Sequence, residues 1–339
     1  MKWDLLGNEW AVDLLKEHIS ERKQRHAYLF TGPPGIGRRT LALRFAQAIN
    51  CPQPPELGMY CGVCRTCKSI ERMSHPDLSF IQADETGGIL KVEEIRELQR
   101  SLSLTPYDAH FRVAIFLRFE EANLSTANAL LKTLEEPSPR VVLILTAETT
   151  EMLLPTIVSR CEVLRLRPLS FTSLEKSLQD KWNFDSEKAF FLSRISNGCP
   201  GLARRFSEMP ELLERRAAWM KDFYEIILDT NRIQRFTYAD RITKDKDKEK
   251  MRTILHTWIS FWRDVILLVN GCSSQLANPD FFEQISNISS HLEPERARQV
   301  LVNLLRTLDL LQHNINYKLA FEVLMLDLPI LSKSPIIGK

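Results

Sequence analysis

His26-Ala-Tyr-Leu-Phe-Thr-Gly-Pro-Pro-Gly-Ile-Gly-Arg-Arg-Thr40 is the stretch that decides the fold. It opens as a short apolar run, Ala27 to Thr31, and breaks into glycines. From Arg38 to Ile49 the residues Leu41, Leu43, Phe45, Ala46 and Ile49 follow helical spacing. A strand, a glycine turn and a helix in that order are the context of a phosphate-binding loop. The full motif is G-x4-G-K-[ST]. Gly32 and Gly37 hold its glycine positions, and Gly35 adds freedom to the turn. Arg38 stands at the lysine position and Arg39 at the magnesium-binding hydroxyl position. Making Thr40 the hydroxyl would put Arg38 at the second glycine. It would also turn the hydroxyl about one hundred degrees around the helix. The loop is expected to keep its shape and lose its chemistry. Arg38 retains a positive charge, which leaves passive phosphate contact open. A planar guanidinium is a poor substitute for a compact ammonium there.

Outward from the loop, Leu78–Ile81, Val113–Leu117 and Val141–Thr146 read as buried strands. Val92–Leu102 and Ser125–Leu134 read as helices between them. That alternation predicts a parallel sheet with helices on both faces. Phosphoryl-transfer enzymes of this type need an acidic residue at the end of a neighbouring strand to hold magnesium. Here the two positions are Leu117 and Arg118. Glu120 and Glu121 follow three residues late and read as surface or helix-capping carboxylates.

After about Pro168 the pattern becomes helical. Ile254, Trp258, Phe261, Val265 and Leu268 form one stripe, and Leu301, Leu304, Leu305, Leu308 and Leu311 another. Trp258 and Trp262, four apart, read as core packing rather than a base-stacking platform. The mixed charges of Lys244–Lys250 read as a solvated face or loop.

The chain has 339 residues, with 45 Lys and Arg against 43 Asp and Glu, for a net charge of +2. That balance argues against a polybasic nucleic-acid binder but not against a local basic face. Hydrophobic residues make up 44% and charged residues 26%, as in soluble globular proteins. No apolar run approaches the length of a membrane span. MKWDLLGNEW at the start has no apolar leader core, so the expected compartment is the cytoplasm. Stable disulfides are uncommon there, which turns attention to the spacing of the seven cysteines.

Cys51, Cys61, Cys64 and Cys67 form C-x9-C-x2-C-x2-C, with a Pro-rich loop after Cys51. Two-residue gaps let thiolates converge on one ion. Four soft ligands suit a structural Zn²⁺ with no open position. Free thiols and an iron–sulfur cluster are the alternatives. Cys161, Cys199 and Cys272 read as small buried residues.

Asn128-Ala-Leu-Leu-Lys-Thr-Leu-Glu-Glu-Pro137 resembles the signature of bacterial DNA polymerase III clamp-loader subunits of the AAA+ class. His26–Pro33 resembles that family's lead-in to the loop, and the cysteine module falls in the family's place. Leu153–Cys161 resembles its SRC segment, Asn197–Ala203 the start of its last lid helix, and Asn316–Glu322 its collar. The resemblance covers nearly the whole chain. It implies a RecA-like AAA+ core over residues 1–168 with a zinc module at 51–67. An all-α lid over 169–208 and an all-α collar over 209–339 follow.

The resemblance also locates further nucleotide-handling positions. The family's polar sensor falls near Glu148, and its sensor arginine near Gly201. With Arg38, Arg39 and the strand end, nucleotide handling is degraded throughout, so ATP is not expected to be bound or hydrolysed here. Arg160, in Ser159-Arg-Cys161, matches the family's arginine finger, which acts in trans on ATP held by a neighbour. The bland alternative is a surface arginine in an ordinary salt bridge. The implied role is a stator without motor chemistry, in a heteropentamer with delta and the gamma/tau motors. That complex acts on the sliding clamp and primed DNA. The rivals are an active gamma/tau-type ATPase and a zinc-bearing scaffold outside replication. Lys132 and the pair Glu135-Glu136 read equally as partner contacts or helix-end charges. Arg204-Arg205 reads as solvent-facing, and His75 as structural.

Overall fold

The computed structural model describes residues 3–84, 88–229, 231–311 and 315–331. The chain divides into two compact units. Unit 1 comprises residues 1–184 together with 198–203, and unit 2 comprises 185–197 and 204–339.

Unit 1 is built on five strands: β1 Ala27–Thr31, β2 Leu78–Ile81, β3 Arg112–Phe116, β4 Val141–Ala147 and β5 Glu162–Arg165. All pairings are parallel, and the order across the sheet is β2-β3-β4-β1-β5. The helices are α1 Glu9–Ser20, α2 Arg38–Asn50, α3 Arg65–Glu71, α4 Val92–Leu102, α5 Leu124–Glu135, α6 Pro155–Val158 and α7 Phe171–Trp182.

Strand side chains alternate between two cores. Tyr28, Phe30, Val113, Ile115, Val142 and Ile144 join Leu15, Leu41 and Phe45 on one face. Leu29, Ala114, Phe116, Leu143 and Leu145 join Ile95, Leu98, Leu130 and Leu134 on the other. Burial on both faces is why these strands read as unbroken apolar runs. Each large side chain so buried contributes about 2 kcal/mol against the cost of ordering it. This is the parallel, doubly covered sheet that the strand–helix alternation predicts and that the resemblance implies as a RecA-like core. The ends of β1 and β4, where they point toward the glycine turn, lie at the carboxyl edge of the sheet. Open α/β sheets bind ligands at that edge.

Unit 2 is helical among its described residues. It contains α8 Ser186–Ile195, the later part of α9 Pro200–Glu208, α10 Pro210–Leu228, α11 Arg232–Thr243, α12 Lys248–Val269, α13 Phe282–Ser289, α14 Pro294–Leu310 and α15 Tyr317–Asp327. On α12, Trp258, Phe261, Trp262 and Val265 are fully buried. The Trp258 ring stacks on Phe223 at 4.6 Å, and Trp262 Nε1 donates to the Ala297 carbonyl at 2.7 Å. The two tryptophans are core, as their spacing predicts. Arg235 is buried and donates to the carbonyls of Ile226, Met325, Leu328 and Pro329. It thereby satisfies carbonyls left over at two helix ends. Cys272 departs from expectation. It is exposed, because it sits in the turn that Gly271 opens after α12. No helix among the described residues is long and apolar enough to cross a membrane.

Candidate functional sites: glycine loop, cysteine cluster and arginine corner

The glycine loop leaves β1 at Thr31 and enters α2 at Arg38. Gly32 N–H donates to the Glu148 carbonyl at 2.9 Å, and Leu166 N–H to the Thr31 carbonyl at 2.8 Å. Gly35 has φ 78° and its carbonyl accepts from Gly201 N–H at 2.8 Å. A β-carbon on Gly35 would sit 2.6 Å from the Leu202 nitrogen, so only glycine fits this approach. The loop is thus pinned by backbone contacts to residues 201 and 202. Glu148 and Gly201, where the resemblance puts the family's two sensors, meet the loop through their main chain.

The side chains there do other work. Arg39 Nη2 reaches Met73 Sδ at 3.0 Å, and its guanidinium lies 5.3 Å from the Phe80 ring centroid. That places it on the β2 side of the helix as a packing cation. Arg38 is half-buried beside Cys199, whose thiol burial pushes up to about 12. At the end of β3, Arg118 adopts φ 50° and donates through its N–H to Thr146 Oγ1 at 3.0 Å. Its Nε pairs with Glu121 Oε1 at 2.7 Å. Glu121 is therefore a nearly buried partner of Arg118 rather than the surface carboxylate its sequence position suggests.

The cysteine cluster links the end of α2 to the start of α3. Cys51 follows Asn50, and Cys64 is the N-cap of α3. The four Sγ atoms of Cys51, Cys61, Cys64 and Cys67 lie within 4.8 Å of one another. A tetrahedral Zn²⁺ with bonds of about 2.3 Å needs sulfurs about 3.8 Å apart. Cys61 and Cys67 stand at 4.0 Å. Backbone N–H groups of Cys61, Cys64 and Cys67 point at the sulfurs of Cys51, Cys61 and Cys64, each at 3.3 Å. The Cys64 N–H holds the Cys61 thiol down to about 6, favouring thiolate. Burial pushes Cys51 and Cys67 up. A cation at the centre would reverse that penalty. Geometry and donors therefore fit one tetrahedral metal ion. Gln47 Nε2 braces the module by donating to the Cys67 carbonyl at 2.9 Å, and Arg44 pairs with Glu71 beside it.

The arginine corner follows α6, whose N-terminal Pro155 suits a first helical position. Ile157 is fully buried and anchors the turn. Arg160 Nη2 pairs with Glu135 Oε1 at 2.7 Å, and Nη1 donates to the Thr156 carbonyl at 2.7 Å. Its side chain is 34% exposed. Cys161 points inward instead, and burial pushes its thiol up to about 12. His75 is buried, and its Nδ1 accepts from Asp77 N–H at 3.1 Å, a structural role as expected. Lys132 is exposed. Arg204 pairs with Glu208 one helical turn on at 2.7 Å.

Sequence reasoning missed the closure of Gly35 on Gly201, the seat of Arg39 on Phe80, and the Glu135–Arg160 pair. The last joins residues 25 positions apart without a repeating pattern.

Comparison with known proteins supplies the context. The family described as DNA polymerase III, delta subunit, matches residues 7–170. The family described as DNA polymerase III, delta subunit, C terminal, matches residues 210–329. The DNA polymerase III subunit delta' of Bacillus subtilis is 30% identical over 319 residues, 93% of this chain and 94% of the relative. That of Pseudomonas aeruginosa is 34% identical over 201 residues, 58% of this chain and 60% of the relative. The Bacillus subtilis DNA polymerase III subunit tau is 35% identical over 159 residues, 47% of this chain and 28% of the relative.

Proposed function

The chain belongs to the DNA polymerase III delta' subunit family, and on that premise we propose how this clamp-loader subunit works. It acts as a stator in a heteropentamer with delta and the gamma/tau motors, in the cytoplasm. The complex opens the sliding clamp and places it on primed DNA. This chain hydrolyses no ATP of its own. It lends Arg160 to ATP held by the neighbouring motor. The guanidinium stabilises charge developing on the γ-phosphate and needs no working nucleotide site in its own chain.

The observation that carries this reading is the contrast between two corners of unit 1. Arg38, Arg39, Arg118 and Gly201 stand where hydrolysis needs a lysine, a hydroxyl, a carboxylate and an arginine. Arg160 keeps a partly exposed guanidinium of which two N–H groups are committed. The proposed division is a core to about residue 168, a lid over 169–208, and a collar over 209–339. On α15, Leu319, Val323 and Leu326 are exposed at 57%, 46% and 52% and share one helical face. An apolar stripe of this kind suits packing against sister collars.

Cys51, Cys61, Cys64 and Cys67 would hold one Zn²⁺. Bound there, the ion supplies four cross-links that fix the loop from 51 to 64 against α2 and α3. Metal analysis of purified protein should give about one zinc ion per chain. Finding none, with four titratable thiols, would refute the zinc assignment.

Co-purification with candidate gamma/tau and delta chains, followed by ATPase assay, tests the function. We expect one stable complex and no turnover by the isolated chain. Turnover by the isolated chain that Arg38→Ala abolishes would make it a motor instead.

A further inference from the structure

We infer that Glu135 is the positioning residue for Arg160. The inference rests on the reading of Arg160 as an arginine finger and adds the group that aims it. Arg160 is bound at two points: Nη2 to Glu135 Oε1 and Nη1 to the Thr156 carbonyl, both at 2.7 Å. A guanidinium has five N–H donors. Two are used, and the remainder stay available for an incoming phosphate.

Glu135 reaches Arg160 from a fixed platform. It is the last residue of α5. The buried side chains Ala127, Leu130 and Leu134 seat that helix on the sheet. Its start is capped by Asn123, which accepts from Thr126 N–H at 2.8 Å. Thr126 Oγ1 donates to the Leu90 carbonyl at 2.8 Å. Gln99 of α4 donates to the Ala129 carbonyl at 2.7 Å and to Thr133 Oγ1 at 2.9 Å. The second anchor, Thr156, lies on α6, which packs against α5. A long side chain tethered at both nitrogens to one rigid pair of helices samples few orientations. That restriction is what a group acting across a subunit boundary requires.

Stability does not explain the pair. The Glu135 side chain is 50% exposed, and half-exposed ion pairs contribute little to folding. Glu136, the next residue, makes no ion pair among the described residues and serves as an internal control. The sequence cluster Glu135-Glu136 thus resolves into one residue that aims the finger and one that does not.

The test uses the reconstituted complex with the full chain carrying Glu135→Ala, Glu135→Gln, Glu136→Ala, Arg160→Ala, or Glu135→Ala with Arg160→Ala. Steady-state ATPase gives kcat and KM for each. Glu135→Ala should lower kcat about tenfold with KM unchanged, a misaimed rather than unbound group. Glu135→Gln should recover most of that loss, since its amide oxygen still accepts from Nη2. Glu136→Ala should match the wild type. The double variant should be no worse than Arg160→Ala alone. Thermal midpoints of the free chains should agree, which removes misfolding as the cause. Full activity of Glu135→Ala beside an impaired Arg160→Ala would overturn the positioning role. So would additive losses in the double variant. Full activity of Arg160→Ala would instead overturn the finger reading, and the positioning role with it.

Discussion

The turn from Gly32 to Gly37 and the corner from Pro155 to Cys161 belong to one compact unit and keep opposite things. The turn keeps its backbone. Gly32, Gly35 and Gly37 all take positive φ, and Gly35 closes on Gly201. Its side chains have gone to other tasks: Arg39 lies on Phe80, and across the sheet edge Arg118 is locked to Glu121. The corner has no positive φ, yet it holds a guanidinium with donors to spare. A phosphate-loop shape therefore survives here for a packing reason, the close approach of residues 201 and 202. It is no evidence of nucleotide chemistry. The proposed function rests instead on the partly exposed guanidinium of Arg160.

The contrast is sharpest at Gly35. Gly35→Ala should destabilise unit 1 by about 3 kcal/mol, since the new methyl group meets backbone at an unfavourable φ. Chemical denaturation measures this, and an unchanged midpoint would break the claim that packing preserves the loop. Arg118→Ala should cost about 2 kcal/mol by removing the partner of a nearly buried carboxylate. A neutral result would mean that Glu121 is satisfied by its other neighbours. Gly271→Ala, at the similar φ of 77° but with open space around it, should cost only about 1 kcal/mol. A larger loss there would show that φ alone explains Gly35. The smallest effect belongs to repair. Arg38→Lys with Arg39→Thr restores the loop motif, and ATP turnover of the free chain should still be absent. The β3 end would still offer Leu117 and Arg118, and Gly201 would still lack a side chain.

Much of this was legible in the residues. β1 to β4 fall where the apolar runs place them, because strands buried on both faces cannot carry polar alternation. β5, Glu162–Arg165, has no such apolar signature: it is four residues long, and only Leu164 is fully buried. The cysteine cluster was legible because three of its ligands lie within seven residues. Cys272 reads as buried and is exposed, since a lone cysteine carries no sign of its burial. The partners of Arg39 and Arg160 were not legible either. Met73 and Glu135 are brought to them by the sheet and its helices, and no spacing rule links residues across that distance. The sequence thus exposes what repeats or clusters, and leaves single long-range pairs to the fold.

The central claim is that this subunit contributes an arginine and not an ATPase site. Steady-state ATPase of the assembled complex, with Arg160→Ala or Arg38→Ala in this chain alone, tests it most directly. Arg160→Ala should remove roughly a thousandfold of the rate at the site it serves, while Arg38→Ala leaves turnover intact. Loss of turnover with Arg38→Ala and none with Arg160→Ala would contradict the account.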